Sequence, residues 1–361
     1  MNKELLFQLY SIHSPSGKEK KMRKFLRKQA RACGATSIET DAFGNLLIVK
    51  GESDTYPCLA AHIDQVQDFH SKDFTVVEID GDVLAWSPKC HRQQGLGADD
   101  KNGIFVCLEL LRRFDVMKVA FFVGEETGCV GSSQVDLSFF KDCRFIIEPD
   151  RMHGDDLITS MFCGRVCSDD FISAIGYDKY GYREECGSIT DVGKLVERGV
   201  GISCLNLSCG YYNAHTDEEI TILSELENCM ELVAHIVETC TDVYPFEYVD
   251  RWSTNLYGTG HHSHRHTQYN SYWWGDDDYY TDGYYGTDEY MMDELVRLNP
   301  DITLDEIVND YAINFYTRDK QTLEELYDLA HLETENGDYW GSAYDDDDCT
   351  VYEDITPRKI V

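Results

Sequence analysis

Residues 118–126 read Lys118-Val119-Ala120-Phe121-Phe122-Val123-Gly124-Glu125-Glu126. The β-branched and aromatic side chains predict a strand over Lys118–Val123. The glycine ends it, and two adjacent carboxylates follow where the chain leaves the sheet. The same arrangement, an apolar run closed by chemistry-bearing polar residues, recurs up to Thr216. Cys58–Ala61 lead into His62-Ile63-Asp64, Phe145–Ile147 into Glu148-Pro149-Asp150, and Leu205–Leu207 into Asn213-Ala214-His215-Thr216. A fifth station, Gly97-Ala98-Asp99-Asp100-Lys101, precedes an apolar helix predicted over Gly103–Phe114.

Further strands are predicted at Asn45–Val49, Pro57–Ala61, Phe74–Ile79, Arg144–Ile147 and Gly201–Leu207. Helices are predicted near residues 3–12, over Lys18–Arg31, after the turn that opens Gly187–Arg198, and over Ser224–Cys240. Strands alternating with helices imply an α/β fold with a mostly parallel central sheet sandwiched by helices. In such a sheet the carboxyl ends of the strands line one crevice, so stations far apart in sequence converge there. Taken singly, each station has an ordinary explanation: a histidine after a strand is commonly a hydrogen-bonded core or surface residue, and Asp-Asp before a helix caps it. Together they place two imidazoles and several carboxylates in one crevice, where the acids must protonate or bind a cation. Nitrogen and oxygen donors without thiolate suit zinc, with manganese or cobalt as alternatives.

The composition narrows the choice of partner. The 361 residues carry 32 Lys+Arg against 66 Asp+Glu, a net charge of −34, which excludes a phosphate backbone as partner, and 42% apolar content suffices for a large core. Residues 244–361 hold 27 acids and 7 bases, and residues 1–243 hold 39 and 25, so the last third is compositionally distinct. We therefore expect a catalytic domain over 1–243, a Tyr/Asp/His-rich linker or surface extension over 244–290, a small helical unit over 291–335 and an acidic tail over 336–361. No apolar run reaches the roughly 18–20 residues of a membrane span, and the Met1-Asn2-Lys3-Glu4 opening is unlike a signal peptide, so a cytoplasmic protein without membrane contact is expected. Most of the 14 cysteines sit in apolar runs and read as small buried hydrophobes, with Cys163, Cys167 and Cys186 a weak zinc signal. The helix Lys18–Arg31 carries eight Lys/Arg around a narrow stripe of Met22, Phe25 and Leu26, a solvated basic face or one that docks on acidic surface.

The five stations, in this order, resemble those of the co-catalytic dinuclear zinc peptidases, the clan that includes the bacterial zinc aminopeptidases, peptidase T and carboxypeptidase G. Ser14-Pro15-Ser16-Gly17-Lys18-Glu19 and Asp41-Ala42-Phe43-Gly44-Asn45 extend the resemblance, which covers about residues 4–240. It implies two zinc ions and a cis peptide bond between Asp99 and Asp100. Asp99 would bridge the ions, with His62 and Asp150 completing one shell and Glu126 and His215 the other. Glu125 would be the general base, and Asp64 the carboxylate that orients His62. Relatives place either Glu or Asp at the fourth position, so Glu148 stands as the alternative to Asp150; the two are two apart and share a face of an extended strand.

The intervals from His62 to Asp99 and from Asp150 to His215 leave little room for the barrel insertion or the lid and dimerisation domain of larger clan members. The expected substrate is a short peptide with a free amino terminus, since an acidic crevice suits an amine better than a carboxylate. A deacylase or carboxypeptidase with the same metals, or a binding or assembly protein on this fold, are the alternatives. Ser188, Thr190 and Asp191 read either as pocket lining or as a helix start, and Tyr211 and Tyr212 as pocket wall or core. His261, His262, His264 and His266 read as a flexible polar tract or a metal site.

Overall fold

The structure, a computed structural model, describes residues 1–161 and 164–248 together with positions 303, 304 and 327. The expected extension, helical unit and tail therefore fall outside the described residues, apart from residues 244–248 and those three positions. The same holds for the histidine tract and for Cys163.

Among the described residues, fourteen strands appear in chain order. They are β1 (Ser37–Thr40), β2 (Leu46–Lys50), β3 (Tyr56–His62), β4 (Thr75–Ile79), β5 (Asp82–Ser87), β6 (Arg92–Gln94), β7 (Met117–Phe122), β8 (Cys143–Arg151), β9 (Asp156–Met161), β10 (Gly164–Arg165), β11 (Arg183–Gly187), β12 (Cys204–Ser208), β13 (Tyr211–Tyr212) and β14 (Ile220–Ile222). Nine form the main sheet in the order β1-β2-β7-β3-β8-β12-β9-β10, with β11 beside β9. Its centre, β7-β3-β8-β12, is parallel, while β2 on β7 and β9 on β12 are antiparallel. This is the expected α/β sheet with a mostly parallel centre.

Central strands buried on both faces read as unbroken apolar runs, which is why they were visible in the sequence. All seven residues of β3 are buried, Leu59 and Ala61 facing one core cluster and Cys58 and Ala60 the other. Five helices pack on the first face: α1 (Lys3–Tyr10), α2 (Lys20–Ala32), α3 (Ala98–Arg113), α5 (Asp169–Ile175) and α7 (Leu223–Thr239). The second face is covered by α6 (Asp191–Glu197), against which α4 (Val130–Gln134) packs. In α7 the buried positions Leu226, Cys229, Met230, Val233, Ile236 and Val237 follow the helical period. Among the described residues no helix is long and apolar enough to cross a membrane.

Two of the differences from the sequence reading bear on the site and on the domain boundary. First, the interval between His62 and Asp99 holds β4, β5 and β6, which join β13 and β14 in a second, antiparallel sheet of order β13-β14-β5-β4, with β6 on β5. Only one of these strands was expected, because strands this short and half-exposed carry little apolar signal. Second, the sheet contacts run past Val243: Tyr244 N–H donates to the Arg144 carbonyl, the Tyr244 carbonyl accepts from Ser203 N–H, and Phe246 N–H donates to the Gly201 carbonyl. Phe246 and Tyr248 pack against the second core cluster. A backbone ladder of this kind has no side-chain periodicity to announce it.

Helix α3 crosses the sheet where Gly103 meets β8. A Cβ at Gly103 would lie 2.4 Å from the Asp100 carboxylate and 2.5 Å from the Pro149 carbonyl, so only glycine permits this approach. Gly103→Ala should therefore destabilise the chain by about 1–3 kcal/mol, as overpacking of a buried contact does. Urea unfolding with an unchanged midpoint would show that α3 moves away from β8 at no cost.

Candidate metal centre

The carboxyl ends of β3, β7 and β8, the start of α3 and the β13–β14 loop converge on one point. His62 closes β3, and its Nε2 lies 2.9 Å from Asp99 Oδ1 and 3.4 Å from Asp150 Oδ1. His215, on the β13–β14 loop, has its Nε2 3.2 Å from Asp99 Oδ2 and 3.1 Å from Glu126 Oε2. Two trios result, His62–Asp99–Asp150 and Asp99–Glu126–His215, each with its donor atoms within 4.8 Å of one another, and Asp99 belongs to both. The two carboxylates left open at the end of β8 part company here. Glu148 is turned toward α6, accepting from the Thr190 hydroxyl and from Val192 N–H, whereas Asp150 faces His62.

Local backbone geometry aims these groups. The Asp99–Asp100 peptide is cis, and both residues depart from helical angles, Asp99 at φ −75°, ψ 107° and Asp100 at φ −113°, ψ 41°. Asp100 then points back toward the sheet, its Oδ2 accepting from His62 N–H at 3.2 Å and its Oδ1 from Gly103 N–H at 2.9 Å. Asp64 ties the ends of β3 and β7 together. Its Oδ1 accepts from Glu125 N–H at 3.1 Å, and its Oδ2 from Glu126 N–H at 3.4 Å and Ser16 Oγ at 2.8 Å. His62 Nδ1 lies 3.2 Å from the Asp64 main-chain oxygen and 3.6 Å from Oδ1. With Nδ1 so occupied, Nε2 is the nitrogen turned to the crevice.

The electrostatics are those of a site short of positive charge. Burial alone would keep His62 neutral, yet Asp150, Asp64 and Asp99 together hold its pKa well above the ordinary imidazole value. His215 is likewise opposed by burial but pushed up to about 11 by Asp99 and Glu126. Asp99 lies far below the carboxylate range despite its burial, because both imidazoles bond to it. Burial pushes Glu125 up to about 8, with Glu126 and Asp99 adding to the rise and His62 opposing it. Burial likewise raises Glu126 and Asp150. Glu126 Oε1, Glu148 Oε1, Asp150 Oδ1 and Asp191 Oδ2 are buried and accept no hydrogen bond, and of these acids Glu126 and Asp150 belong to the two trios. Carboxyl groups with an unsatisfied oxygen, set among nitrogen and oxygen donors in each trio, fit a bound metal cation.

The remaining candidates fall out as follows. Thr190 and Asp191 are buried at the start of α6, the Thr190 hydroxyl bonded to Glu148 and the Asp191 carboxylate to the Ser132 hydroxyl; neither side chain caps the helix, whose Val192 N–H donates to Glu148. Tyr211 is buried, its hydroxyl 3.4 Å from the Asp150 carbonyl, and Tyr212 donates to Glu225 at 2.9 Å. Cys167 is buried, donating to the Thr159 carbonyl, and Cys186 is exposed and free. Three residues escaped the sequence reading: Asp100 in its bridging role, the buried Lys101, and Glu219. Lys101 Nζ donates to Gln65 Oε1 at 2.6 Å. Glu219 lies four positions after His215, and nothing in its sequence neighbourhood sets it apart from Glu218.

No protein-family model matches the sequence, and no curated protein matches it. Solved structures do resemble it. The aminopeptidase PepT of Bacillus cereus aligns at a TM-score of 0.55 with 16% identity, over 67% of this chain and 100% of its own. A tripeptidase of Staphylococcus aureus aligns at 0.53 and 15%, over 65% and 96%. An aminopeptidase of the archaeon Desulfurococcus kamchatkensis aligns at 0.52 and 15%, over 65% and 94%. The chain has the fold of these peptidases.

A metal needs the lone pairs that protons occupy on His62 and His215 in the metal-free protein, so binding must displace protons and weaken as pH falls. Titration calorimetry with Zn²⁺ in two buffers of different protonation enthalpy should show net proton release, with affinity falling about tenfold per pH unit for each proton displaced. An affinity independent of pH would remove both histidines from the ligand set.

Proposed function

We propose that this chain is a metal-dependent peptide hydrolase, an aminopeptidase acting in the cytoplasm on short peptides with a free amino terminus. The observation that carries the reading is the pair of donor trios sharing Asp99, with the Glu125 carboxyl beside them. His62, Asp99 and Asp150 would hold one zinc ion, and Asp99, Glu126 and His215 the other, with manganese or cobalt as alternatives. When bound, such ions make water acidic, polarise the scissile carbonyl and stabilise the oxyanion that forms from it.

The protein's own residues supply the proton transfers and the positioning. Glu125 takes the proton of the attacking water and passes it to the leaving amine, a role that suits a carboxyl raised toward neutrality. Its Oε1 also lies 3.5 Å from Cys129 Sγ, which restrains the side chain on the α4 side. Asp64 fixes the backbone of Glu125 and Glu126 relative to His62. The surplus of carboxylates favours a substrate that brings a positive amine. Three further points support this over the carboxypeptidase and deacylase readings. The described residues between Asp150 and His215 go into β9–β13, α5 and α6 with no separate lid domain, the three resembling structures named above are called aminopeptidases and a tripeptidase, and the net charge of −34 repels a free carboxylate.

The decisive experiment is peptide hydrolysis by the zinc-loaded chain, with free-amine and amine-blocked tripeptides, beside Glu125→Gln. Only the free-amine peptide should be cleaved. The variant, which keeps volume but loses the base, should lose about a hundredfold to ten-thousandfold in rate while retaining its metal. Equal cleavage of the blocked peptide moves the protein to the carboxypeptidases or deacylases, and full activity in the variant removes Glu125 from the chemistry.

We also propose that the catalytic domain is independent of the remainder of the chain. All the stations lie at or before Thr216, and the ladder at Tyr244–Phe246 sets the cut after Tyr248 instead of Val243. A chain truncated after Tyr248 should stay soluble, bind metal and turn over a small peptide. A metal-free or insoluble product would put later residues inside the catalytic fold.

A further inference from the structure

Two of the three donors of the second trio reach the site from separate parts of the fold. Asp99 lies at the start of α3 beneath the main sheet, and His215 on a loop of the second sheet. Something must hold these two segments at ligand distance. The backbone before α3 also leaves polar groups to satisfy. Gly97 is left-handed at φ 65°, and Asp99 is non-helical, so their N–H groups have no helical carbonyl to meet. A Cβ at Gly97 would also lie 2.7 Å from Lys101 Nζ and 2.9 Å from the Gln65 side chain, so the loop is pressed onto its neighbours.

Glu219, 0% exposed, answers both needs. One carboxylate oxygen, Oε2, accepts from Gly97 N–H and, at 3.3 Å, from Gln67 Nε2; the other, Oε1, accepts from Asp99 N–H at 3.1 Å. The loop that carries it is braced from within and without. Thr216 Oγ1 donates to the Asn213 carbonyl at 2.8 Å, and Asn213 Nδ2 to the Glu218 carbonyl at 3.1 Å. Asp217 Oδ1 accepts from Gly95 N–H at 3.1 Å, and the Glu219 carbonyl accepts from Gln93 Nε2 at 3.2 Å. His215 and Glu219 therefore move as one body, and Glu219 grips the backbone of the residue whose carboxylate His215 faces.

We propose that Glu219 is a positioning residue that sets the distance between Asp99 and His215 and thereby builds the second metal site, an inference that rests on the two-ion reading of the centre. It touches neither substrate nor metal and acts through two backbone N–H groups. Removing it frees the start of α3 from the His215 loop, so the second ion should suffer more than the first, whose His62 and Asp150 stand on strands of the main sheet.

The test compares wild type, Glu219→Gln and Glu219→Ala in full-length protein, titrated with Zn²⁺ and with Co²⁺, whose visible absorption reports ligand geometry. Loss of a group that orients metal ligands typically weakens binding about 10–100-fold. Glu219→Ala should weaken the second ion by that factor, with a smaller change at the first and an altered Co²⁺ spectrum at the second equivalent. Glu219→Gln keeps one acceptor oxygen and should fall between wild type and Glu219→Ala; it carries the test alone if Glu219→Ala does not fold. Wild-type affinities and spectra in both variants, whatever their melting temperatures, would overturn the proposal, since a purely structural role would shift only stability. If wild type itself never takes a second ion, the two-ion reading fails. Glu219 is then judged on the single ion, and unchanged affinity for it in Glu219→Gln overturns the positioning role as well.

Discussion

The contact of Asp99 with both His62 and His215 is the interaction around which the rest is arranged. Asp64, Asp99, Asp100, Glu126, Glu148, Asp150 and Asp191 are buried or nearly so beside Glu125, and the imidazoles are the cations that face them directly. Desolvating a carboxylate without a partner costs several kcal/mol, so each must be bonded, protonated or neutralised. Asp64 and Asp100 are satisfied by backbone N–H groups, Asp191 by Ser132, and Glu148 by Thr190 and Val192. One oxygen each of Glu126, Glu148, Asp150 and Asp191 still lacks a partner, and of these four acids Glu126 and Asp150 are the ones that belong to the trios.

The sheet makes this density of charge tolerable. Its central strands are buried on both faces, and the two core clusters run the length of the sheet, so the apolar burial needed for stability is complete before the polar edge begins. The polar stations then occupy the carboxyl ends, where strand backbones diverge and N–H groups become free to bond carboxylates. The second sheet adds His215, a donor that the main sheet does not supply. It also makes the site sensitive to how the two sheets are held together, the task we assign to Glu219.

The acidity of the whole chain acts in the same direction as the site. A surface of net negative charge attracts small cations and repels carboxylates and nucleic acid. The six exposed bases at positions 18, 20, 21, 24, 28 and 31 on and around α2 are a local exception, while Arg23 and Arg27 are engaged with the Gly44 carbonyl and the Thr40 hydroxyl.

The sequence by itself determined the parallel centre of the sheet and the polar stations, because a strand buried on both faces must be apolar throughout and its end is marked when polar residues begin. His62, Asp64, Glu125 and Glu126 were legible for that reason, and α7 for its period. What only the tertiary structure decided was which of several carboxylates meet. Glu148 and Asp150 are alike in sequence, and the bonds of Glu148 to Thr190 and Val192 on α6 turn them to different tasks. The second sheet, the ladder at Tyr244–Phe246 and the role of Glu219 were equally hidden. Each depends on backbone hydrogen bonds between distant segments, and a backbone N–H or carbonyl is the same in every residue, so its partner leaves no mark on the sequence.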